Sequence, residues 1–128
     1  MDSRGICRRL ATGLAALTVF GLLAVASPGH AEAAGYCSGR KVRTLSFSTG
    51  SVVVYKRGGY VCAVTVARKA TSVRPMSVSV QARGGRPVAV TGRYRQHAGP
   101  VTVHAGHRCV RVRGSVGPGS VDSGWTLC

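Results

Sequence analysis

Past residue 34 the apolar positions of this chain recur at every second residue, and no window sustains an apolar stripe at helical spacing. Residues 41–48, 51–56, 60–67, 76–82, 87–91, 101–105 and 108–112 read as seven short strands rich in Val and Thr. Turn signals fall between them. Arg57-Gly58-Gly59-Tyr60 and Arg83-Gly84-Gly85-Arg86 each place two glycines where a tight hairpin needs positive φ, and Ala105-Gly106-His107 marks a third reversal. Residues 114–128, punctuated by Gly114, Gly117, Pro118, Gly119 and Gly124, read as a loop ending in a short edge strand at 125–127.

The same alternation assigns faces. In Val110-Arg111-Val112-Arg113 the valines point inward and the arginines outward. Met76, Val78 and Val80 share one face, and Ser77, Ser79 and Gln81 the other. Cys62, Val64 and Val66 share a face, which is expected to be the core side. Seven strands at a spacing of about ten residues predict an all-β fold, a small antiparallel β-sandwich or barrel.

The opening of the chain follows another pattern. Arg4, Arg8 and Arg9 precede an uncharged apolar run over 10–26, Pro28 and Gly29 interrupt it, and Ala31-Glu32-Ala33 offers small residues at −3 and −1 of a cleavage site. Seventeen residues is short for a span that needs ~20. Residues 1–33 are therefore expected to be a cleaved helical signal peptide, and 34–128 a single secreted β domain of 95 residues.

Export changes the meaning of the cysteines. Cys7 leaves with the signal, so five become four: Cys37, Cys62, Cys109 and Cys128. An even number in a small exported domain predicts two disulfides, which a modest core makes valuable. Of the three connectivities, Cys37–Cys62 with Cys109–Cys128 ties neighbouring or terminal segments together. A metal site is a poor alternative: C-x-x-C spacing is absent, and only Cys109 has a second ligand close by, at His107. His104 and His107 stand three apart across a turn, and that pair alone does not make a metal site.

Cleavage removes three of the 18 basic residues and leaves 15, twelve of them Arg, against the single acid Asp122. A net charge of +14 predicts attraction to polyanions. Arg93-Tyr94-Arg95, an aromatic flanked by cations, and the outward pair Arg111 and Arg113 are the candidate contacts. Catalytic patterns are absent. One carboxylate cannot supply a glycosidase pair, no G-x-S-x-G or P-loop occurs, and the glycines sit in hairpins rather than at helix starts. No cofactor, small-molecule substrate or dedicated nucleic-acid site is expected.

Tyr36-Cys37-Ser38-Gly39, Gly58-Gly59-Tyr60-Val61-Cys62-Ala63-Val64-Thr65-Val66, Ala98-Gly99-Pro100-Val101-Thr102-Val103 and Cys109-Val110 with Gly114 behind it together resemble the spore-associated protein A family, small exported proteins of filamentous sporulating bacteria. The resemblance spans nearly the whole mature chain and implies a secreted, disulfide-bonded protein of the spore surface without established enzymatic activity. It carries no binding residues. Arg111 and Arg113 depart from it, standing where a more neutral stretch with an aromatic is expected. Two roles follow as expectations: a non-catalytic surface protein adhering to anionic cell-wall or spore-surface polymers, or a secreted cationic binding module or effector directed at one polyanion or membrane.

Overall fold

The structure, a computed structural model, describes residues 35–128. The expected signal peptide, its cleavage site and Cys7 lie outside the described residues. Among the described residues the chain forms eight strands: β1 Arg40–Phe47, β2 Gly50–Arg57, β3 Tyr60–Ala67, β4 Arg74–Ala82, β5 Val88–Tyr94, β6 His97–His104, β7 Val110–Val116 and β8 Gly119–Thr126. They pair antiparallel in two four-stranded sheets, β1-β2-β3-β6 and β5-β4-β7-β8, packed as a sandwich. Of the two architectures the alternation allows, the sandwich is the one adopted.

The core lies between the sheets and is built mainly from valine, with alanines filling the closer approaches. Val52, Val54, Val61, Val78, Val80, Val110, Val112 and Val116 are all fully buried there, with Met76 as the largest side chain. β-branched side chains suit this role because they lose little rotamer freedom on a pleated surface. Each inward valine of β4 and β7 alternates with an outward Ser, Gln or Arg, as the sequence pattern requires.

Two expectations need correction. Residues 114–128 are not a loop: β7 runs on to Val116, and β8 occupies most of the remainder. Its glycines serve the strand rather than interrupting it. Gly119 is buried where a Cβ would run into Thr49 Oγ1, and Gly124 adopts φ +68° at a bulge, where the register shifts between Arg111 and Arg113. There the Ser123 hydroxyl accepts the Val112 N–H at 2.9 Å, replacing a ladder bond.

The second correction concerns Cys62. It does share a face with Val64 and Val66, but that face is the outer one, away from the second sheet. There these residues join Val53, Tyr55 and Cys37 in a separate apolar cluster, with Tyr36 packed against it. β3 is buried on both sides from Val61 to Ala67. Every residue of that stretch is apolar except Thr65, so alternation marks two faces without saying which one meets the other sheet.

Both expected disulfides are formed. Cys37–Cys62, with Cα atoms 5.9 Å apart, pins the segment before β1 onto the outer face of β3. Cys109–Cys128 closes the C-terminus onto the residue before β7, with Cα atoms 3.8 Å apart, nearer than the ~4.4–6.8 Å usual for a bridge.

Candidate polyanion-binding surface

Alternation along β7 points Arg111 and Arg113 out of the second sheet, where both meet the same partner on β8. Arg111 holds Asp122 through two hydrogen bonds, Nε to Oδ1 at 3.0 Å and Nη2 to Oδ2 at 2.7 Å. Arg113 Nε donates to Oδ2 at 3.1 Å, and the Gly124 N–H donates to Oδ1 at 2.9 Å. The hydrogen bond from Arg111 above all, then that from Gly124 and the charges of both arginines, hold the Asp122 carboxyl well below the usual carboxylate range. The same bond raises the Arg111 guanidinium further above its ordinary value. The only acidic side chain among the described residues is thus spent on two of the arginines nominated as polyanion contacts.

Arg93, Tyr94 and Arg95 are brought together only in part: Tyr94 and Arg95 line one shallow depression with Gln96 and His97, and Arg93 is not on its wall. Arg93 is exposed on the edge strand β5, opposite Pro75. Tyr94 turns the other way and packs on the core, its ring lying over Gly92 where a Cβ would strike the phenol. Arg95 folds toward the β3–β4 connection and donates from Nη1 to the Thr71 carbonyl at 3.3 Å.

Arg95 thereby borders a cluster that sequence spacing does not show. The β1–β2 turn at Ser48 and Thr49, the connection over residues 68–73 and the start of β4 meet at one end of the sandwich. Ser48, Thr49, Arg68, Lys69 and Arg74 line a depression of about 400 Å³ there. Two hydrogen bonds fix its walls: the Arg68 main-chain N–H donates to Thr49 O at 2.9 Å, and the Thr49 hydroxyl donates across to Val116 O at 2.6 Å.

The guanidinium groups at this end are steered by carbonyls instead of carboxylates. Arg68 Nη2 donates to Phe47 O at 3.4 Å, and Arg74 Nη2 to Lys69 O. Carbonyl partners orient a guanidinium without cancelling its charge, and each guanidinium carries five N–H donors. Arg74 Nε is moreover buried with no hydrogen-bond partner among the described residues. Three cations converging on two hydroxyl-bearing residues suit a phosphate or carboxylate oxygen, which Arg grips through two parallel hydrogen bonds and Lys as a point charge. Sequence reading missed the site because Arg68, Lys69 and Arg74 come together with Ser48 and Thr49 only when two connections meet; the basic run Arg68-Lys69 was the one available signal.

The remaining cations are spread elsewhere. Arg40, Arg43 and Arg57 are exposed on the first sheet. Arg83 lies over the Trp125 ring, 5.4 Å from its centroid, and Arg108 donates to the Ala105, His104 and Arg83 carbonyls. His104 packs edge-on against Tyr60, and among the described residues no three His, Cys, Asp or Glu side chains gather as metal ligands would. No helix among them is long and apolar enough to cross a membrane. No family model matches the sequence, and no curated protein or solved structure is detectably similar to it.

Proposed function

We propose that the protein is a secreted, non-catalytic adhesion domain that holds anionic cell-wall or spore-surface polymers through its excess of arginine, with the Arg68–Lys69–Arg74 depression as the strongest contact. The observation that carries this reading is a concave group of three cations with no carboxylate among them, in a domain whose one acidic side chain is engaged elsewhere. The two disulfides fit an extracellular setting, where a small domain needs cross-links and the redox poise permits them. Asp122 is committed to Arg111 and Arg113, which leaves no free carboxylate side chain among the described residues to orient a catalytic histidine. The resemblance to the spore-associated protein A family supports the spore or cell surface as the setting.

The test is retention on immobilised teichoic acid, on duplex DNA and on anionic lipid vesicles across a salt series. Arg68→Gln with Arg74→Gln is compared with two pairs of equal charge loss, Arg40→Gln with Arg43→Gln and Arg111→Gln with Arg113→Gln. All retention should weaken as salt shortens the screening length from ~8 Å toward ~3 Å. The Arg68/Arg74 pair should lower the eluting salt most, and the Arg111/Arg113 pair less, because those donors already serve Asp122. Equal losses from all three pairs would remove the depression from the reading. Retention on one ligand only, persisting at ~1 M salt, would favour the dedicated effector instead.

A further inference from the structure

The opposite end of the first sheet carries a second concavity, built from aromatic rings. Alternation sends Tyr60 and Cys62 of β3 and Thr102 and His104 of β6 out of the same face, Tyr60 being paired with His104 and Cys62 with Thr102. The Cys37–Cys62 bridge brings the preceding segment across this face, so that Tyr36 and Ser38 form a wall. Tyr36, Ser38, Arg57, Tyr60, Cys62 and Thr102 line a cavity of about 520 Å³, within the ~300–1,000 Å³ typical of small-molecule sites.

Both tyrosines are set by histidines. Tyr36 stacks on His97 with ring centroids 3.8 Å apart and an interplanar angle of 19°, while Tyr60 meets His104 at 4.8 Å and 67°. Gly59 makes room for the second pair, since a Cβ there would lie 2.9 Å from His104 Nε2. Tyr60 nevertheless stays 54% exposed, so its ring is open to contact from solvent. Among the described residues Arg57 at the rim has no carboxylate side chain as partner, because Asp122, the only acidic one there, is bound to Arg111 and Arg113.

We propose that this cavity binds an acidic pyranose unit of a glycan. The tyrosine rings supply flat apolar contact for the C–H face of a sugar, Ser38 and Thr102 supply hydroxyls that both donate and accept, and Arg57 supplies the fork that pairs with a uronate carboxylate or a sugar phosphate. A single-stranded nucleic acid needs a cationic track along successive stacked bases. Here one cation stands beside one open concavity, which suits a single ring. The site is separate from the Arg68–Lys69–Arg74 depression, so either can fail alone.

The test titrates the purified, disulfide-bonded protein with tetragalacturonate and with glucose 1-phosphate, following side-chain NMR resonances. Maltotetraose serves as a neutral sugar, inorganic phosphate as an anion without a ring, and oligothymidylate as a nucleic acid. One or both acidic sugars should shift the Tyr36, Tyr60 and Thr102 signals, and the tighter of the two identifies the anionic group. Tyr60→Ala should weaken binding at least tenfold, Arg57→Gln should abolish the preference over maltotetraose, and Arg68→Gln with Arg74→Gln or Trp125→Ala should change neither. The substituted side chains Tyr60 and Arg57 are exposed, so the fold is expected to persist, and circular dichroism checks it. No shift with either acidic sugar would overturn the proposal. So would shifts unchanged in Tyr60→Ala, or equal shifts from inorganic phosphate or oligothymidylate.

Discussion

The Thr65 hydroxyl crosses the middle of the sandwich to donate to the Ser77 carbonyl, 2.8 Å away, and so joins β3 to β4 inside an otherwise apolar core. Thr65 is fully buried and is the only polar side chain so placed among the described residues. The bond requires close approach of the two sheets at this point. Gly114 of β7 permits that approach, since a Cβ there would drive into Val52 Cγ2 and Thr65 Oγ1. Thr65→Val keeps the volume but leaves the carbonyl without this donor, and should cost about 1–2 kcal/mol. Gly114→Ala overpacks the same spot and should cost about 1–3 kcal/mol. Urea midpoints measure both, and a Thr65→Val protein as stable as the parent would show that the bond contributes nothing.

Asp122 gives the stability a specific acid dependence. Its folded-state carboxyl titrates well below the ~3.9 of an unfolded Asp, so the ion pairs contribute fully above that value. The contribution fades as pH falls through the depressed folded value. Asp122→Asn should therefore be slightly less stable than the parent at neutral pH, with the two converging only well below pH ~3.9. Both guanidinium groups are solvent-exposed in part, so the gap should be small and should shrink as salt is added. Thermal melts across a pH series measure it, and a gap that widens below pH ~3.9 would contradict the assignment.

Alternation revealed most of the fold because most strands carry it plainly. Met76 to Gln81 and Val110 to Arg113 place valine inward and polar residues outward without exception. It failed where its physical basis weakens. β8 lacks an apolar stripe, because Gly119 is small to clear Thr49 and Gly124 takes a positive φ at the bulge. The first half of β6 was hidden by Gly99 and Pro100, which interrupt the pattern where the β3–β6 register shifts. Cys62 could be grouped with Val64 and Val66 but not assigned to a side, since β3 is buried on both. The sites were less legible still. Tyr94 faces away from Arg93 because neighbours on a strand point opposite ways, while Arg95 lies past the end of β5 and reaches the Thr71 carbonyl. Arg68 and Arg74 are six residues apart and converge beside Ser48, because separate connections meet at one end.

The C-terminal bridge should matter most for the strand that sequence reading lost. β8 is an edge strand paired only with β7, and its pairing is interrupted by the bulge at Ser123 and Gly124. Beyond it only Trp125 and Thr126 still pair with β7, Arg83 covers the Trp125 ring and Leu127 reaches the core in part, so this short stretch depends heavily on Cys109–Cys128. The bridge closes a ring with a sequence separation of 19, for which the loss of unfolded-chain entropy corresponds to about 3 kcal/mol. Cys109→Ser with Cys128→Ser should lower stability by about that amount. Because the pairing past the bulge is only two residues long, amide exchange should accelerate first at Trp125 and Thr126, while Val121 on the near side of the bulge and Val112 in β7 keep their protection longer. Cys37→Ser with Cys62→Ser should instead loosen the segment around Tyr36 and leave β8 protected. Hydrogen exchange followed by mass spectrometry distinguishes the two patterns, and uniform acceleration across both sheets in the Cys109/Cys128 variant would show that the bridge stabilises the whole sandwich instead of anchoring its last strand.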